Sequence, residues 1–435
     1  MKRWKKLLSL CLAAILTYTC AALVFAYEEE DAAAVAAEIE GLERLQEEAQ
    51  KADESATEAT DSAGDTSQNA GNTTASTGSG LEEGARSVLL MEADSGTILY
   101  AYNADDPMPP ASITKVMTLL LVMEAIENGK IALTDEVEAS EHAASMGGSQ
   151  IWLEAGERMS LDDLLKATVI ASANDAAVAL AEHVAGTEDA FVTLMNERAA
   201  ELGMTNTTFK NATGLDADGH LSTASDIAVM SRELLKHPKI LEYSTVWMDT
   251  LRGGETELTN TNRLVRFYEG ATGLKTGTTD GAGSCISATA ERGDLSLIAV
   301  IMGSQNSKER NNVAWKLLDW GFANFDAYTP EPIDLEVTEL PVKGGTASSV
   351  PIGYEIDGTV LIEKGSQDAI DYDVELVESL EAPVEMGKEV GRVRILLEGE
   401  ELASYPITCR ESVDSMTFCA AFELLLRCAV GGTEI

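Results

Sequence analysis

Three short strings stand in one order along the chain: Ser112-Ile113-Thr114-Lys115, Ser172-Ala173-Asn174 and Lys275-Thr276-Gly277. A serine hydroxyl attacks a carbonyl only when a base takes its proton. The chain has 4 histidines, His142, His183, His220 and His237, and none stands in a Ser/His/Asp arrangement. The candidate base is therefore Lys115. It follows Ser112 by three residues, and residues three apart share a helix face, so the amine can reach the hydroxyl. A lysine acts as a base only when neutral, which demands desolvation and a nearby positive charge; Lys275 is the natural source of that charge. Ser172 is suited to relay a proton, since a hydroxyl both donates and accepts. Asn174 carries an amide able to hold Lys115 and a substrate backbone. The chemistry these residues specify is serine acyl transfer.

Negative charge on the attacked carbonyl needs preorganised donors, and the Ser112 N–H at the positive end of its helix is one. A substrate ending in a carboxylate explains a cationic Lys275 flanked by the hydroxyls of Thr276 and Thr278. Gly277 leaves the strand edge bare, so an extended peptide can pair along it. Each string alone is weak, because Ser-x-x-Lys arises by chance about twice in a chain this long at average residue usage. The weight rests on order, spacing and structural context.

The elements around these strings are legible from periodicity and turn residues. Apolar runs at 87–92 and 97–102 joined by Asp94-Ser95-Gly96 predict a hairpin. Pro109-Pro110 punctuates the chain before Ser112, and residues 113–128 are apolar at helical spacing until Asn128-Gly129, placing the serine at a helix N-terminus. Helices are expected at 161–170, 175–184, 189–202, 225–236 and 312–325, and strands at 273–276, 285–291 and 295–302. Beyond about residue 330 the chain turns to short β-prone runs such as 354–362, around Asp357-Gly358, and 390–397. His220 reads as a structural residue in a loop, Asp175 as a helix-start charge, and Trp315 and Trp320 as core.

The three boxes resemble the SxxK, SxN and KTG boxes of penicillin-binding proteins and serine β-lactamases. Within that superfamily the chain is similar to D-alanyl-D-alanine carboxypeptidases of low molecular mass. Gly147-Gly148-Ser149-Gln150, Thr213-Gly214-Leu215, Ser222-Thr223 and Ala382-Pro383-Val384 extend the likeness over roughly residues 85–407. The resemblance implies an α/β fold of the β-lactamase/DD-peptidase kind: an antiparallel sheet flanked by helices with an inserted helical lobe, followed by a small C-terminal all-β domain. It implies Ser112, Lys115, Ser172 and Asn174 as catalytic residues, and Lys275, Thr276, Gly277, Thr278 and Arg310 as substrate-binding residues. The Thr278 amide would be the second oxyanion donor and Arg310 a partner of the substrate carboxylate. The implied activity removes the terminal D-alanine from peptidoglycan stem pentapeptides through an acyl-enzyme, with β-lactam antibiotics as inhibitors and no cofactor. The alternatives are a DD-endopeptidase, a β-lactamase, or a non-catalytic wall-binding or penicillin-sensing protein. The class A β-lactamase string ExxLN is absent, since Glu255-Thr256-Glu257-Leu258 continues with Thr259.

A net charge of -42 argues against nucleic acid as a partner, because neutralising phosphates takes basic patches. Lys2, Arg3, Lys5 and Lys6 precede an apolar run at 7–24 and Val24-Phe25-Ala26, which reads as a signal peptide over residues 1–26, or alternatively as an uncleaved anchor. Residues 27–84, rich in Ala, Glu, Ser, Thr, Gly and Asp, are expected to be a disordered acidic spacer. A catalytic domain is expected at 85–328, the β domain at 329–408 and an amphipathic helix with its tail at 409–435. Phe418, Phe422, Leu425 and Ala429 share a face of that helix, which can lie at the outer face of the cytoplasmic membrane or pack against protein. The exported chain keeps Cys285, Cys409, Cys419 and Cys428 without a CxxC pair, and no metal-ligand spacing appears.

Overall fold

Strands that are apolar on both faces build the central sheet. Ser87–Glu92 (β1), Ile98–Tyr102 (β2), Ala271–Thr279 (β3), Gly283–Arg292 (β4) and Leu295–Ser304 (β5) join in the order β2-β1-β5-β4-β3, every pair antiparallel. Side chains alternate across a strand. Leu89, Met91, Ile298, Val300 and Met302 therefore enter one core, and Val88, Leu90, Leu297, Ala299 and Ile301 the other. The computed structural model describes residues 80–418 and 421–422, so the expected signal segment, nearly all of the spacer and most of the tail lie outside the described residues.

The first core is filled by the helical lobe. Lys115–Glu127 (α1) is buried almost all round, which makes it the lobe's central helix. Leu161–Ile170 (α2), Asn174–Ala185 (α3), Glu188–Glu201 (α4) and Ala224–Leu235 (α5) complete the lobe. Ser160, Thr187 and Thr223 cap α2, α4 and α5 by accepting from the amides of Asp163, Ala190 and Asp226. Each such cap contributes about 1 kcal/mol. Ser307–Asn324 (α6) covers the opposite sheet face with Val313, Leu317, Leu318 and Phe322. Trp315 and Trp320 pack half-buried against this second core, Trp315 edge-on to Tyr268 at 5.0 Å. α6 starts five residues before the expected 312, because Asn306 caps it by accepting from Glu309 N–H and its polar first turn carries no apolar signal.

The β domain has its own core around Leu340, Val350, Val393 and Ile407. Glu339–Lys343, Ser349–Gly353, Ile370–Leu376, Glu389–Leu397 and Glu400–Cys409 form most of its sheet. The first half of the run at 354–362 forms no strand. The second half, Val360–Glu363, pairs antiparallel with Phe325–Tyr328, immediately after α6. The chain stays in this domain past residue 408: Val413 is buried and bridges Val384, and Ser415 bridges Gly345. Phe418 and Phe422 are exposed, with their rings stacked at 6.3 Å. Among the described residues no helix is long and apolar enough to cross a membrane.

Candidate active site

Ser112 does not sit in the first turn of an α-helix. Ala111–Thr114 is a 3-10 turn and α1 begins at Lys115. In a 3-10 turn side chains three apart eclipse. The result is a contact of 2.9 Å between Lys115 Nζ and Ser112 Oγ. The turn is wedged between two glycines. A Cβ on Gly277 of β3 would lie 2.7 Å from Ser112 N, and one on Gly214 would lie 1.8 Å from the Ala111 carbonyl oxygen. The face of β3 that Gly277 leaves without a side chain thus lies against the serine turn, and β3 itself is the last strand of the sheet.

Lys115 is completely buried. Its Nζ is 2.6 Å from Asn174 Oδ1 and 2.8 Å from the Thr213 carbonyl oxygen, besides the contact with Ser112. Burial first, and the Lys275 charge second, hold its pKa well below the ordinary lysine value, against an opposing pull from Asp175. A neutral amine has two N–H donors and one lone pair. Asn174 Oδ1 and the Thr213 carbonyl can only accept, so the lone pair is left for the Ser112 hydroxyl. The protonated amine finds three acceptors in the same places. The site satisfies both protonation states, which is what a proton carrier requires.

The second box is wired to residues 147–153. Asn174 donates from Nδ2 to the Gly147 carbonyl at 2.6 Å and from its backbone to the Ser149 carbonyl at 2.7 Å. Asp175 is completely buried and accepts from the backbone of Ile151 and Leu153 at 3.1 and 3.0 Å, so it is a pin for this loop rather than only a helix-start charge. Ser172, also buried, has a left-handed φ of 62°. Such a conformation costs a non-glycine residue about 1–3 kcal/mol and persists where the surroundings enforce it. The three bonds of Lys115 go to Ser112, Asn174 and Thr213, and Ser172 is not among its partners.

Two buried cations lie beside the third box. Lys275, 1% exposed, donates to the Thr276 carbonyl at 3.0 Å, and burial followed by repulsion from Arg310 pushes its pKa down to about 7. Arg310, 4% exposed on α6, donates to the Cys285 carbonyl at 3.5 Å and to Asn311 Oδ1 at 2.9 and 3.0 Å; burial lowers its pKa to about 10. All these acceptors are neutral, so among the described residues the pair has no anionic hydrogen-bond partner. Thr276 Oγ1 donates to Thr261 Oγ1 at 2.7 Å, and Thr278 is exposed one residue beyond Gly277. His220 is structural: Nδ1 accepts from Lys210 N–H, Nε2 meets Thr114 Oγ1 at 2.8 Å, and burial lowers its pKa to about 4.

The Thr213 and Gly147 carbonyls were not assigned roles from the sequence, since a carbonyl belongs to every residue. The signal available was the glycine after Thr213, whose φ of 84° demands a residue without a side chain.

A serine paired with a buried lysine, set between an antiparallel sheet and a helical lobe, defines a serine acyl-transfer protein of the penicillin-binding kind. The chain belongs to the D-alanyl-D-alanine carboxypeptidase family, whose profile matches residues 72–306, and residues 325–415 match the C-terminal domain of penicillin-binding protein 5. It is 41% identical to the D-alanyl-D-alanine carboxypeptidase DacF of Bacillus subtilis over 78% of this chain and 88% of that one. The crystal structure of penicillin-binding protein 5 from Haemophilus influenzae is similar with a TM-score of 0.67 and 33% identity, over 76% of this chain and 98% of that one. Penicillin-binding protein D2 from Listeria monocytogenes, in its ampicillin-bound form, is similar with a TM-score of 0.51 and 35% identity, over 55% of this chain and 98% of that one.

Proposed function

We propose that this chain is a D-alanyl-D-alanine carboxypeptidase in which Ser112 is the nucleophile and Lys115 its base. The observation that carries the assignment is the 2.9 Å contact of Lys115 Nζ with Ser112 Oγ, made while two acceptor-only partners hold the amine's N–H groups. The Ser112 proton passes to the Nζ lone pair as Oγ bonds to the carbonyl carbon of the penultimate D-alanine. The Ser112 and Thr278 amides receive the oxyanion. The C–N bond then breaks, and the leaving D-alanine nitrogen takes a proton that originates on Lys115. Acylation removes Ser112 as a partner of Nζ, which frees one N–H to turn toward Ser172 and reach the leaving nitrogen. Water attacks the ester in turn, and Ser112 recovers its proton. Lys275 and Arg310 supply the charge that the terminal carboxylate matches, with the hydroxyls of Thr276 and Thr278 beside it. β-Lactams acylate the same serine. The activity requires an extracytoplasmic enzyme, in keeping with the export segment expected at residues 1–26.

Intact mass measurement after penicillin treatment, with the adduct mapped, tests the nucleophile. One acyl group on Ser112 is expected, and an adduct elsewhere, or none, refutes the assignment.

The two lysines set opposite limbs of a pH profile. Lys115 must be neutral, so kcat/KM falls as pH drops through its lowered pKa. Lys275 must be charged to hold a carboxylate, so kcat/KM also falls above about 7, where it loses its proton, by up to tenfold per pH unit. A substrate ending in D-alaninamide should lose the alkaline limb alone. An alkaline limb that persists with the amide would exclude Lys275 as the carboxylate anchor.

A further inference from the structure

Glu188, the first residue of α4, places its carboxylate between two segments that hold the base. Its Oε1 accepts from the Ala212 N–H at 2.9 Å, and its Oε2 lies 2.7 Å from His142 Nε2. Ala212 immediately precedes Thr213, whose carbonyl takes a hydrogen bond from Lys115 at 2.8 Å. The Ala212 carbonyl is itself held by Thr118 Oγ1 on α1 at 2.7 Å. His142 stands five residues before Gly147, whose carbonyl holds Asn174, the other acceptor for Lys115. One carboxylate thus ties together the two chain segments that orient both acceptors.

We propose that Glu188 is a positioning residue for Lys115, acting through the Ala212-Thr213 backbone, an inference that rests on Lys115 being the base. Capping does not account for it: Thr187 is the cap of α4, accepting from Ala190 N–H at 3.2 Å. The Glu188 side chain is only 14% exposed. A carboxylate bonded to a backbone N–H is a charge-assisted contact, stronger than the neutral bonds elsewhere in the loop. Removing it leaves the Ala212-Thr213 backbone held only through the Ala212 carbonyl, by Thr118, and the Thr213 N–H, by Asn211 Oδ1, and the acceptor that the Thr213 carbonyl offers the amine is less firmly fixed.

The test measures acylation of the full chain by labelled penicillin across pH, together with thermal midpoints, for wild type, Glu188→Ala, Glu188→Gln and Asp189→Ala. Asp189→Ala removes a charge from the same helix turn without touching Ala212. Glu188→Ala is expected to slow acylation roughly 10- to 100-fold, the scale on which small misplacements act. It should also move the acid limb to lower pH, since the Thr213 carbonyl favours the protonated amine. Glu188→Gln, which keeps an acceptor for Ala212 N–H, should restore the rate to within about threefold of wild type on that same scale, and Asp189→Ala should leave rate and limb in place. If Glu188→Ala does not fold, Glu188→Asp, which retracts the carboxylate by one methylene, carries the comparison. A lowered midpoint with unchanged rate and limb, or an equal loss in Asp189→Ala, overturns the proposal. A wild type that is not acylated at Ser112 overturns the underlying assignment instead, and the wild-type arm makes that visible.

Discussion

Lys115→Arg is expected to abolish acylation of Ser112, lowering its rate by roughly four to six orders of magnitude, while the protein remains folded. A guanidinium stays protonated at any working pH, so it can donate to Ser112 Oγ but cannot take its proton. The wild-type amine differs in being forced toward neutrality by complete burial and by Lys275. Arginine brings a larger cation to the same place, yet Asn174 Oδ1 and the Thr213 carbonyl still offer it acceptors. The helical lobe's core, from Leu119 and Leu120 on α1 to Phe191 and Met195 on α4, does not depend on the amine. Labelled-penicillin trapping over hours, read beside circular dichroism and a thermal melt, checks the expectation. Acylation within tenfold of wild type would mean that the proton leaves Ser112 by another route.

What the sequence discloses and what it hides separate along physical lines. Local patterns were legible: the hairpin of Ser87–Glu92 and Ile98–Tyr102, the helix Leu161–Ile170 at its expected limits, and the strands bearing Lys275 and Cys285. These follow from periodicity and turn residues, which a chain carries within a few positions. The pairing of Ser112 with Lys115 was legible too, because three residues is a distance any helical turn spans. The 3-10 geometry was not, since it depends on tertiary contacts that press Gly277 and Gly214 against the turn from remote parts of the chain. Asp175 looked like a helix-start charge because only the fold brings the Ile151 and Leu153 amides to it. The run at 354–362 was legible only as β-prone, because the partner of its strand, Phe325–Tyr328, is set by the tertiary fold. Ser172 shows the same limit. Its place in the second box is a sequence fact, whereas the partners that occupy Lys115 in its stead are set by folding.

The electrostatics of the site also arises only on folding. Lys115, Lys275 and Arg310 are ordinary cations in the sequence, and all three end at 4% exposure or less. Burial lowers the proton affinity of all three, and repulsion adds to it where the Lys275 charge acts on Lys115 and the Arg310 charge on Lys275, whose pKa falls to about 7. A carboxylate entering beside Lys275 and Arg310 relieves that repulsion. On the proposed assignment, binding of a terminal carboxylate and the ionisation of Lys115 are therefore coupled.

Gly214→Ala is expected to be the most damaging single-methyl change in the catalytic region. Its φ of 84° is a left-handed conformation that costs an L-residue about 1–2 kcal/mol. The added Cβ would stand 1.8 Å from the Ala111 carbonyl oxygen and 2.9 Å from Ser112 N, both backbone atoms with no rotamer to escape into. Overpacking of this kind adds about 1–3 kcal/mol, and relief comes only by moving the turn or the Thr213 segment. Either movement separates Ser112 Oγ from Lys115 Nζ or withdraws the Thr213 carbonyl from the amine. Acylation should fall at least about 100-fold, together with a loss of roughly 2 to 5 kcal/mol in stability. Gly219→Ala supplies the contrast: its φ of 73° carries similar strain, but its Cβ would meet only the flexible end of Lys210, at 3.5 Å. That variant should lose stability on the scale of the backbone strain alone and keep the wild-type acylation rate. Denaturant titration and penicillin trapping on the two variants separate backbone strain from displacement of the serine turn, and equal acylation in both would show that the turn yields without consequence for the nucleophile.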